Sequence, residues 1–376
     1  MATRPRAPLP QIDSARRGLL KAAGALGLSG LALAGCASRV AGRAPAAGDG
    51  GGPPASLAPG RDIAVPALRA GGCVAIVAPA SAADGAAFEA ADWLRARGYD
   101  ARIMPAALTR SDAPFDYLAG DDAARLADLH AAFADPTVDA VWCLQGGFGS
   151  WRLADRLDFA LLRQHPKPFI GYSDITALHL AMQRHAGFVT FHGPMLAQDL
   201  LAGKQEPTAS HVLAMVGGQI GAGAWIDAPP GSNPVVLAPG SASGRLVGGN
   251  LALIAAMIGS RHDIATRDAI LFIEDVNEAL PRIDRLLSQL RAAGKFDHLK
   301  GVLVGNFTRL GLPMGDELGQ SQLFPLLREQ FDGRDIPVLA AWPSGHGDPN
   351  LTLPLGARVT LDTQRRGLRL EQAVAV

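Results

Sequence analysis

Short apolar runs alternate with amphipathic segments along the first half of the chain. CVAIVAP at residues 73–79 is apolar throughout, and residues 88–98 space Phe88, Ala91 and Leu94 along one helix face before a glycine. The alternation continues with a helix at 124–135, strands at 138–145 and 167–174, and a helix at 175–187. Buried strands that alternate with helices indicate a parallel sheet covered on both faces. We therefore predict an N-terminal α/β domain over residues 65–200.

The second half has a different pattern. Residues 201–239 contain Gly-Ala and Pro-Pro stretches, which predict a connecting segment. Beyond it, the periodicity predicts helices and strands in mixed order: helices at 249–259, 282–294 and 321–331, and strands at 269–276, 301–307, 337–346 and 351–362. This order predicts a mixed α/β, partly barrel-like C-terminal domain over residues 240–376.

The first 36 residues have the pattern of an export signal. Basic residues precede an apolar core, AAGALGLSGLALA at 22–34, that is shorter than the roughly 20 residues a membrane-spanning helix needs. Arg16-Arg17 resembles a twin-arginine motif. LAGCAS at 33–38 resembles a bacterial lipobox, which would make Cys36 the lipidated first residue of an exported, periplasmic lipoprotein whose only membrane contact is its anchor. The alternative is a cytoplasmic protein with an apolar start.

Residues 37–64 are rich in Gly, Ala and Pro and have few apolar anchors, which predicts a flexible tether. Basic and acidic residues balance at 35 each, and we find no basic stripe with interleaved aromatics, so nucleic acid is not an expected partner. Cys73 and Cys143 lie in apolar runs that favour buried free thiols, although a disulfide between them stays open. The scattered histidines have no metal-binding spacing, and we predict no metal or other cofactor.

Two predicted strands end in stretches that can carry chemistry. Residues 146–150 read GGFGS, and residues 171–174 read GYSD. In an open α/β sheet, ligands bind at the carboxyl ends of strands. Ser173 could be an N-cap that accepts a hydrogen bond from the first helical turn, or a nucleophile on a tight strand-to-helix turn. The second glycine of the usual nucleophile motif is absent, because Ile175 stands in its place.

A serine nucleophile needs a base and a group that orients the base. Two later strand ends offer them. FIEDV, residues 272–276, ends an apolar strand with Glu274 and Asp275, and His346 lies between glycines in WPSGHGDPN at 342–350. Taken alone, Glu274 could be a solvated strand end and His346 a surface-loop histidine.

Taken together, these stretches resemble the LD-carboxypeptidases, the murein tetrapeptide carboxypeptidase family of serine peptidases, which includes microcin C self-immunity hydrolases. The resemblance is carried by VAIVAPAS (74–81), QGGFGSWRL (145–153), FIGYSDITALHL (169–180), FHGPM (191–195), LVGGNLALI (246–254), IEDVNEALPRIDRLLSQL (273–290) and the Gly-His pair at 345–346. It implies a catalytic triad of Ser173, His346 and Glu274, split between the two domains. It also implies an oxyanion hole made by the backbone N–H groups of Asp174 and Gly147. Gln145 departs from the arginine usual at its position.

The resemblance implies a serine carboxypeptidase that removes the terminal D-alanine from peptidoglycan stem tetrapeptides. Its partners would be stem peptides or muropeptides, and a homodimer is allowed because family members are commonly dimers. Two alternatives remain open. The chain could be a self-immunity-type hydrolase of peptide-nucleotide antibiotics, or a non-catalytic solute-binding lipoprotein in which Ser173 and the GGFGS stretch are passive ligand contacts.

Overall fold

The computed structural model describes residues 63–311 and 319–376. The predicted export signal and Cys36 lie outside these residues, as does the predicted tether apart from residues 63 and 64. Ile63 forms a β-bridge with Phe188. Within the described ranges, no helix combines the length and the apolar character that crossing a membrane requires.

The described strands and helices follow one another in a mixed α/β order. The strands are β1 (Cys73–Val77), β2 (Asp100–Ile103), β3 (Ala140–Cys143), β4 (Phe169–Gly171), β5 (Thr190–His192), β6 (Trp225–Asp227), β7 (Val235–Ala238), β8 (Ser241–Asn250), β9 (Ala269–Val276), β10 (Gly301–Thr308), β11 (Val338–Ala340), β12 (Leu353–Leu355), β13 (Arg358–Asp362) and β14 (Gly367–Leu370). The helices are α1 (Ala86–Arg95), α2 (Asp122–Ala134), α3 (Trp151–Ala154), α4 (Phe159–Gln164), α5 (Thr176–His185), α6 (Thr208–Val216), α7 (Leu251–Ala256), α8 (Leu280–Ala292) and α9 (Phe324–Phe331).

The first sheet has the strand order β12-β5-β4-β3-β1-β2. Strands β1 to β5 run parallel, and β12 pairs antiparallel with β5. Every residue of β1, β3, β4 and β5 is buried, which explains why these strands are apolar almost throughout. The prediction of an N-terminal parallel-sheet α/β domain is confirmed.

The second sheet has the strand order β6-β14-β13-β8-β9-β10-β11-β7. Its central strands, β8 to β11, are parallel, whereas the outer strands pair antiparallel. Helix α8 packs one face, formed by Ile283, Leu287 and Leu290, into the core. The prediction of a mixed C-terminal domain is therefore also confirmed.

Several elements differ from the sequence pattern. The segment predicted as a connection contains α6, β6 and β7, and the last two are edge strands of the second sheet. The helix predicted from 249 begins at Leu251, because β8 continues to Asn250. Gly248 has a φ of +140°, and a Cβ there would lie 1.8 Å from the Phe272 carbonyl oxygen, so the strand needs glycine at this position. Residues 353–355, from the last predicted strand, lie in the first sheet.

The two sheets share one hydrophobic cluster. Phe272 and Leu303 of the second sheet pack in the same cluster as Ile170 and Phe191 of the first. The N-terminal end of α5 lies beside this boundary, where the Thr176 Oγ1 accepts a hydrogen bond from the Asn250 N–H at 3.0 Å. The carboxyl end of β4 therefore faces residues of the second sheet.

Candidate active site

Ser173 lies on a sharp turn between β4 and α5. Its φ is +63°, a left-handed conformation that costs a residue other than glycine about 1–2 kcal/mol. The turn Ser173–Ile175 is 3₁₀-helical and leads directly into α5. The residues at the N-cap positions of the turn and of α5 are Tyr172 and Ile175, and neither makes a side-chain cap. Ser173 is therefore not a helix cap, and its strained backbone has the form of a nucleophile elbow.

The structure brings Ser173, His346 and Glu274 together. The Ser173 Oγ lies 3.1 Å from the His346 Nε2, and the His346 Nδ1 lies 2.6 Å from the Glu274 Oε2. Glu274 is fully buried in β9, while His346 comes from the loop after β11. Distances in this range are those of a nucleophile, a base and a group that orients the base.

Glycine at position 345 allows the histidine loop to approach Glu274. Gly345 has a φ of +109°, and a Cβ added there would lie 2.6 Å from the Glu274 Oε2. The loop is held by hydrogen bonds from the Gly345 N–H to the Asn350 Oδ1 at 2.9 Å and from the Ser344 Oγ to the Leu351 carbonyl at 2.6 Å. Glycine at position 345 and these two hydrogen bonds therefore hold the loop backbone close to the Glu274 carboxylate.

The surroundings of His346 favour its cationic form. Burial opposes the charge, but the Glu274 carboxylate outweighs burial through its charge and its hydrogen bond, with smaller contributions from Asp275 and Asp199. The pKa of His346 consequently lies above its usual value. An imidazole with this bias gains a proton readily, as a base that accepts a serine proton must.

The glycine turn at 146–150 packs against Ser173. A Cβ added to Gly146 would lie 3.1 Å from the Ser173 Cβ and 3.3 Å from its Oγ. Ser81 holds this turn, since its N–H donates to the Gly146 carbonyl at 3.1 Å and its Oγ accepts from the Phe148 N–H at 3.1 Å. The Gly147 N–H has no hydrogen-bond partner among the described residues, so it is available to a ligand.

Asp174 ties the serine turn to the glycine turn. Its carboxylate accepts from the Ser150 N–H at 2.8 Å, and its carbonyl accepts from the Ser150 Oγ at 2.5 Å. Burial raises the pKa of Asp174, although the bonds from Ser150 and the charge of Arg125 oppose the rise. Gln145, the departure from the family pattern, donates its Nε2 hydrogen to the Ala82 carbonyl. The two predicted oxyanion residues thus lie on adjoining, mutually bonded turns.

A polar network that the sequence pattern did not reveal supports the histidine loop. The Tyr172 hydroxyl donates to the Asp199 Oδ1 at 3.0 Å, and its ring centroid lies 4.8 Å from that of His346. Lys204 pairs with Asp199 at 2.5 Å and reaches the Gly345 carbonyl at 3.5 Å. Asp199 lies in the π-helix Leu196–Leu201, a geometry that has no distinctive spacing in the sequence.

Asp275, next to Glu274, has a different role. Its Oδ1 accepts from the Asn250 side chain at 2.9 Å, and its Oδ2 accepts from the Ala252 N–H at 2.9 Å, so it anchors the start of α7. Burial and the neighbouring Glu274 charge raise the pKa of Asp275 to about 7. His192 is also fully buried; burial, with His179 and His346 nearby, lowers its pKa well below the usual value.

The remaining predicted positions are the three cysteines. Cys36 lies outside the described residues. Cys73 and Cys143 are buried free thiols, the state that their apolar runs favour. Over residues 63–311 and 319–376, no group of three or more His, Cys, Asp or Glu side chains is arranged to hold a metal ion.

Comparisons with known proteins give consistent matches. The profile of the LD-carboxypeptidase N-terminal domain matches residues 74–193, and that of the C-terminal domain matches residues 243–361. The "Probable murein peptide carboxypeptidase" of Bacillus subtilis is 37% identical over 310 residues, covering 82% of this chain and 94% of the relative. The murein tetrapeptide carboxypeptidase of Pseudomonas aeruginosa is 34% identical over 304 residues, covering 78% and 94%.

Solved structures have the same fold. The muramoyltetrapeptide carboxypeptidase from Oxalobacter formigenes matches with a TM-score of 0.64 and 28% identity, covering 79% of this chain and 97% of its own. The microcin C7 self-immunity protein MccF in its wild-type apo state matches with a TM-score of 0.73 and 24% identity, covering 84% and 100%. Because MccF is only 24% identical to this chain, its similarity shows the fold alone.

Proposed function

This chain belongs to the LD-carboxypeptidase family and is a serine-type peptidase, and from that premise we propose that it removes the terminal D-alanine from peptidoglycan stem tetrapeptides. The names of its relatives support the substrate, since the Pseudomonas aeruginosa protein is a murein tetrapeptide carboxypeptidase. Membership of a peptidase family argues against a passive solute-binding role. The proposal includes a triad of Ser173, His346 and Glu274.

The single observation that carries the triad is the geometry at Ser173. A serine held at a φ of +63°, with its Oγ 3.1 Å from a histidine nitrogen, has a strained backbone that serves no capping role. The opposite nitrogen of that histidine lies 2.6 Å from a buried carboxylate. Strain of this kind persists where the surrounding structure and the chemistry require it.

In the proposed reaction, the Ser173 Oγ attacks the carbonyl carbon of the scissile amide while the His346 Nε2 accepts the hydroxyl proton. Glu274 fixes the imidazole tautomer with its Nδ1–H bond and stabilises the imidazolium. The oxyanion of the tetrahedral intermediate is bound by the N–H groups of Asp174 and Gly147, each of which contributes on the order of 3 kcal/mol to lowering the barrier.

Collapse of the intermediate breaks the C–N bond, and His346 returns its proton to the amine of the departing D-alanine. A water molecule then attacks the acyl-enzyme carbonyl while His346 again takes a proton, and the ester C–O bond breaks as His346 returns that proton to the Ser173 Oγ. The products are the shortened stem peptide, with a new carboxylate, and free Ser173. One water is consumed for each amide hydrolysed.

We further propose that the protein acts outside the cytoplasm, anchored through a lipid on Cys36. The basic start, the short apolar core and the LAGCAS stretch support this location. A change of Cys36→Ala is expected to move the protein from the membrane fraction to the soluble fraction. Membrane association that is equal with and without the cysteine would contradict the anchor.

The test of the proposed reaction is mass spectrometry of a purified disaccharide-tetrapeptide incubated with a form of the protein that begins at Ala37. Loss of one alanine residue, confirmed as the D-isomer by chiral chromatography, is the expected result. If the tetrapeptide stays intact while a peptide-nucleotide conjugate is cleaved, the murein assignment is wrong and the self-immunity-type hydrolase takes its place.

A further inference from the structure

Three aromatic side chains form an exposed group on the N-terminal domain. Phe115, Tyr117 and Phe148 are 45%, 39% and 50% exposed. Their rings meet edge to face, with centroids 6.4 Å apart between Phe115 and Tyr117 and 5.8 Å apart between Tyr117 and Phe148. Single exposed apolar residues are ordinary, whereas a contiguous group marks a binding surface. We call Phe115, Tyr117 and Phe148 the aromatic rim.

The aromatic rim adjoins the catalytic serine. Phe148 follows Gly146 by two residues, and two trans peptide units span at most about 7.6 Å. Because a Cβ on Gly146 would lie 3.1 Å from the Ser173 Cβ, the Phe148 Cα is no more than about 12 Å from that atom. The Tyr117 carbonyl accepts from the Ala82 N–H at 3.1 Å, which joins Tyr117 to the strand end that holds the glycine turn.

Contacts with neighbouring residues also hold Phe115 of the aromatic rim in place. The Arg152 guanidinium lies 5.3 Å from the Phe115 ring centroid, and its Nε donates to the Asp122 carboxylate at 2.8 Å. The Phe115 N–H donates to the Asp112 carbonyl at 2.9 Å. Aromatic rings held in this way offer flat contact area with little side-chain entropy left to lose on binding.

We propose that the aromatic rim binds the pyranose rings of the glycan to which the stem peptide is attached. This inference rests on the proposed function, because it assumes a peptidoglycan substrate. When the terminal residue is cut at Ser173, the three residues that remain on the sugar span at most about 10–11 Å. That length is comparable with the upper limit of about 12 Å between the Ser173 Cβ and the Phe148 Cα. The C–H face of a pyranose packs on an aromatic face while its hydroxyl groups stay in water.

The experiment compares kcat/KM for the disaccharide-tetrapeptide with kcat/KM for the free tetrapeptide. We expect the unmodified protein to prefer the glycan-bearing substrate on the order of tenfold, chiefly through KM. Tyr117→Ala and Phe148→Ala should each bring the ratio towards one. The matched control is Phe88→Ala, because Phe88 is 59% exposed on α1 and makes no ring contact among the described residues; its ratio should equal that of the unmodified protein.

The ratio separates sugar binding from damage to the catalytic turn, since such damage lowers both rates together. Equal kcat/KM for the two substrates in the unmodified protein would overturn the inference while leaving the proposed function intact. Failure to cleave either substrate would overturn both. Sedimentation velocity tests whether the aromatic rim instead binds a second copy of the chain. If Tyr117→Ala or Phe148→Ala dissociated a dimer, the rim would be a subunit interface and the inference would be wrong.

Discussion

Replacing Glu274 with glutamine tests how His346 is oriented and charged. The Glu274 Oε2 lies 2.6 Å from the His346 Nδ1, and both side chains are buried. Glutamine keeps the size of the side chain but removes its charge. It can also present its NH₂ group to the Nδ1, which would leave the proton on the Nε2 and aim the wrong tautomer at Ser173.

The size of the effect can be worked from this distance. Two unit charges 2.6 Å apart interact by about 6 kcal/mol at an effective dielectric constant of about 20, which is an upper limit because the imidazolium charge is spread over the ring. Loss of the correct tautomer in a serine triad lowers the rate about 10⁴-fold, equivalent to about 5 kcal/mol. We therefore expect Glu274→Gln to lower kcat/KM by about 10³- to 10⁴-fold.

The pH profile gives a second readout. His346 must be neutral to act as a base, so activity is lost as the pH falls through its pKa. Glu274 raises that pKa against the effect of burial. Without the carboxylate, burial dominates and the pKa falls, so the residual activity of Glu274→Gln should persist to lower pH than that of the unmodified enzyme.

The assay is D-alanine release from the tetrapeptide between pH 4 and 9, with Asp275→Asn as the matched control. Asp275 is the next residue on the same strand, but its oxygens accept from Asn250 and from the backbone of α7, so its replacement should change kcat/KM less than tenfold. Less than a tenfold loss in Glu274→Gln, or an acid limb that does not move, would refute the proposed role of Glu274.

Three further changes test other parts of the site. Ser173→Gly and Ser173→Ala should both be inactive, but the glycine variant should be more stable by about 0.5–1 kcal/mol in urea unfolding, because alanine keeps the left-handed strain; equal stabilities would argue against strain at this residue. Gly345→Ala should lower kcat/KM at least about 100-fold with unchanged circular dichroism, because its Cβ would lie 2.6 Å from the Glu274 Oε2 and displace the histidine loop; near-normal activity would contradict this. The pKa of Asp275 is raised from 3.8 to about 7 in the folded state. Between pH 4 and 7 this carboxyl therefore keeps its proton in the folded protein and loses it in the unfolded chain, so the free energy of unfolding should fall as the pH rises over this range. Asp275→Asn should flatten that dependence in denaturation curves, and an unchanged slope would rule out Asp275 as its source.

Elements with a strong apolar period could be predicted from the sequence. The β9 strand has the bounds 269–276 that its apolar run indicates, and β1 begins at the predicted residue 73. Strand β8 is absent from the sequence prediction because glycines interrupt its apolar run, whereas their small size lets neighbouring backbone and side chains approach closely. The short β12 was assigned to the wrong sheet, since a pairing over 160 residues of sequence leaves no local signal.

The site was predictable only in part. The local pattern around Ser173 is compatible with a cap or an elbow, the family resemblance favours the elbow, and the φ of +63° agrees with the elbow. Glu274 and His346 give weak signals alone, because the sequence pattern places each at an ordinary strand end. Asp199 and Lys204 gave none, since their contact with Tyr172 and Gly345 depends on a π-helical turn and on the meeting of the two domains.

The central claim is that Ser173 is the nucleophile and His346 its base, and covalent capture by a fluorophosphonate tests it most directly. In this reaction the Ser173 Oγ forms a bond to phosphorus, fluoride leaves, and His346 accepts the hydroxyl proton. Intact-mass and peptide-mapping measurements should find one adduct per chain, on Ser173, absent from Ser173→Ala and formed far more slowly in His346→Ala. An adduct on another residue, or release of D-alanine by Ser173→Ala, would contradict the account.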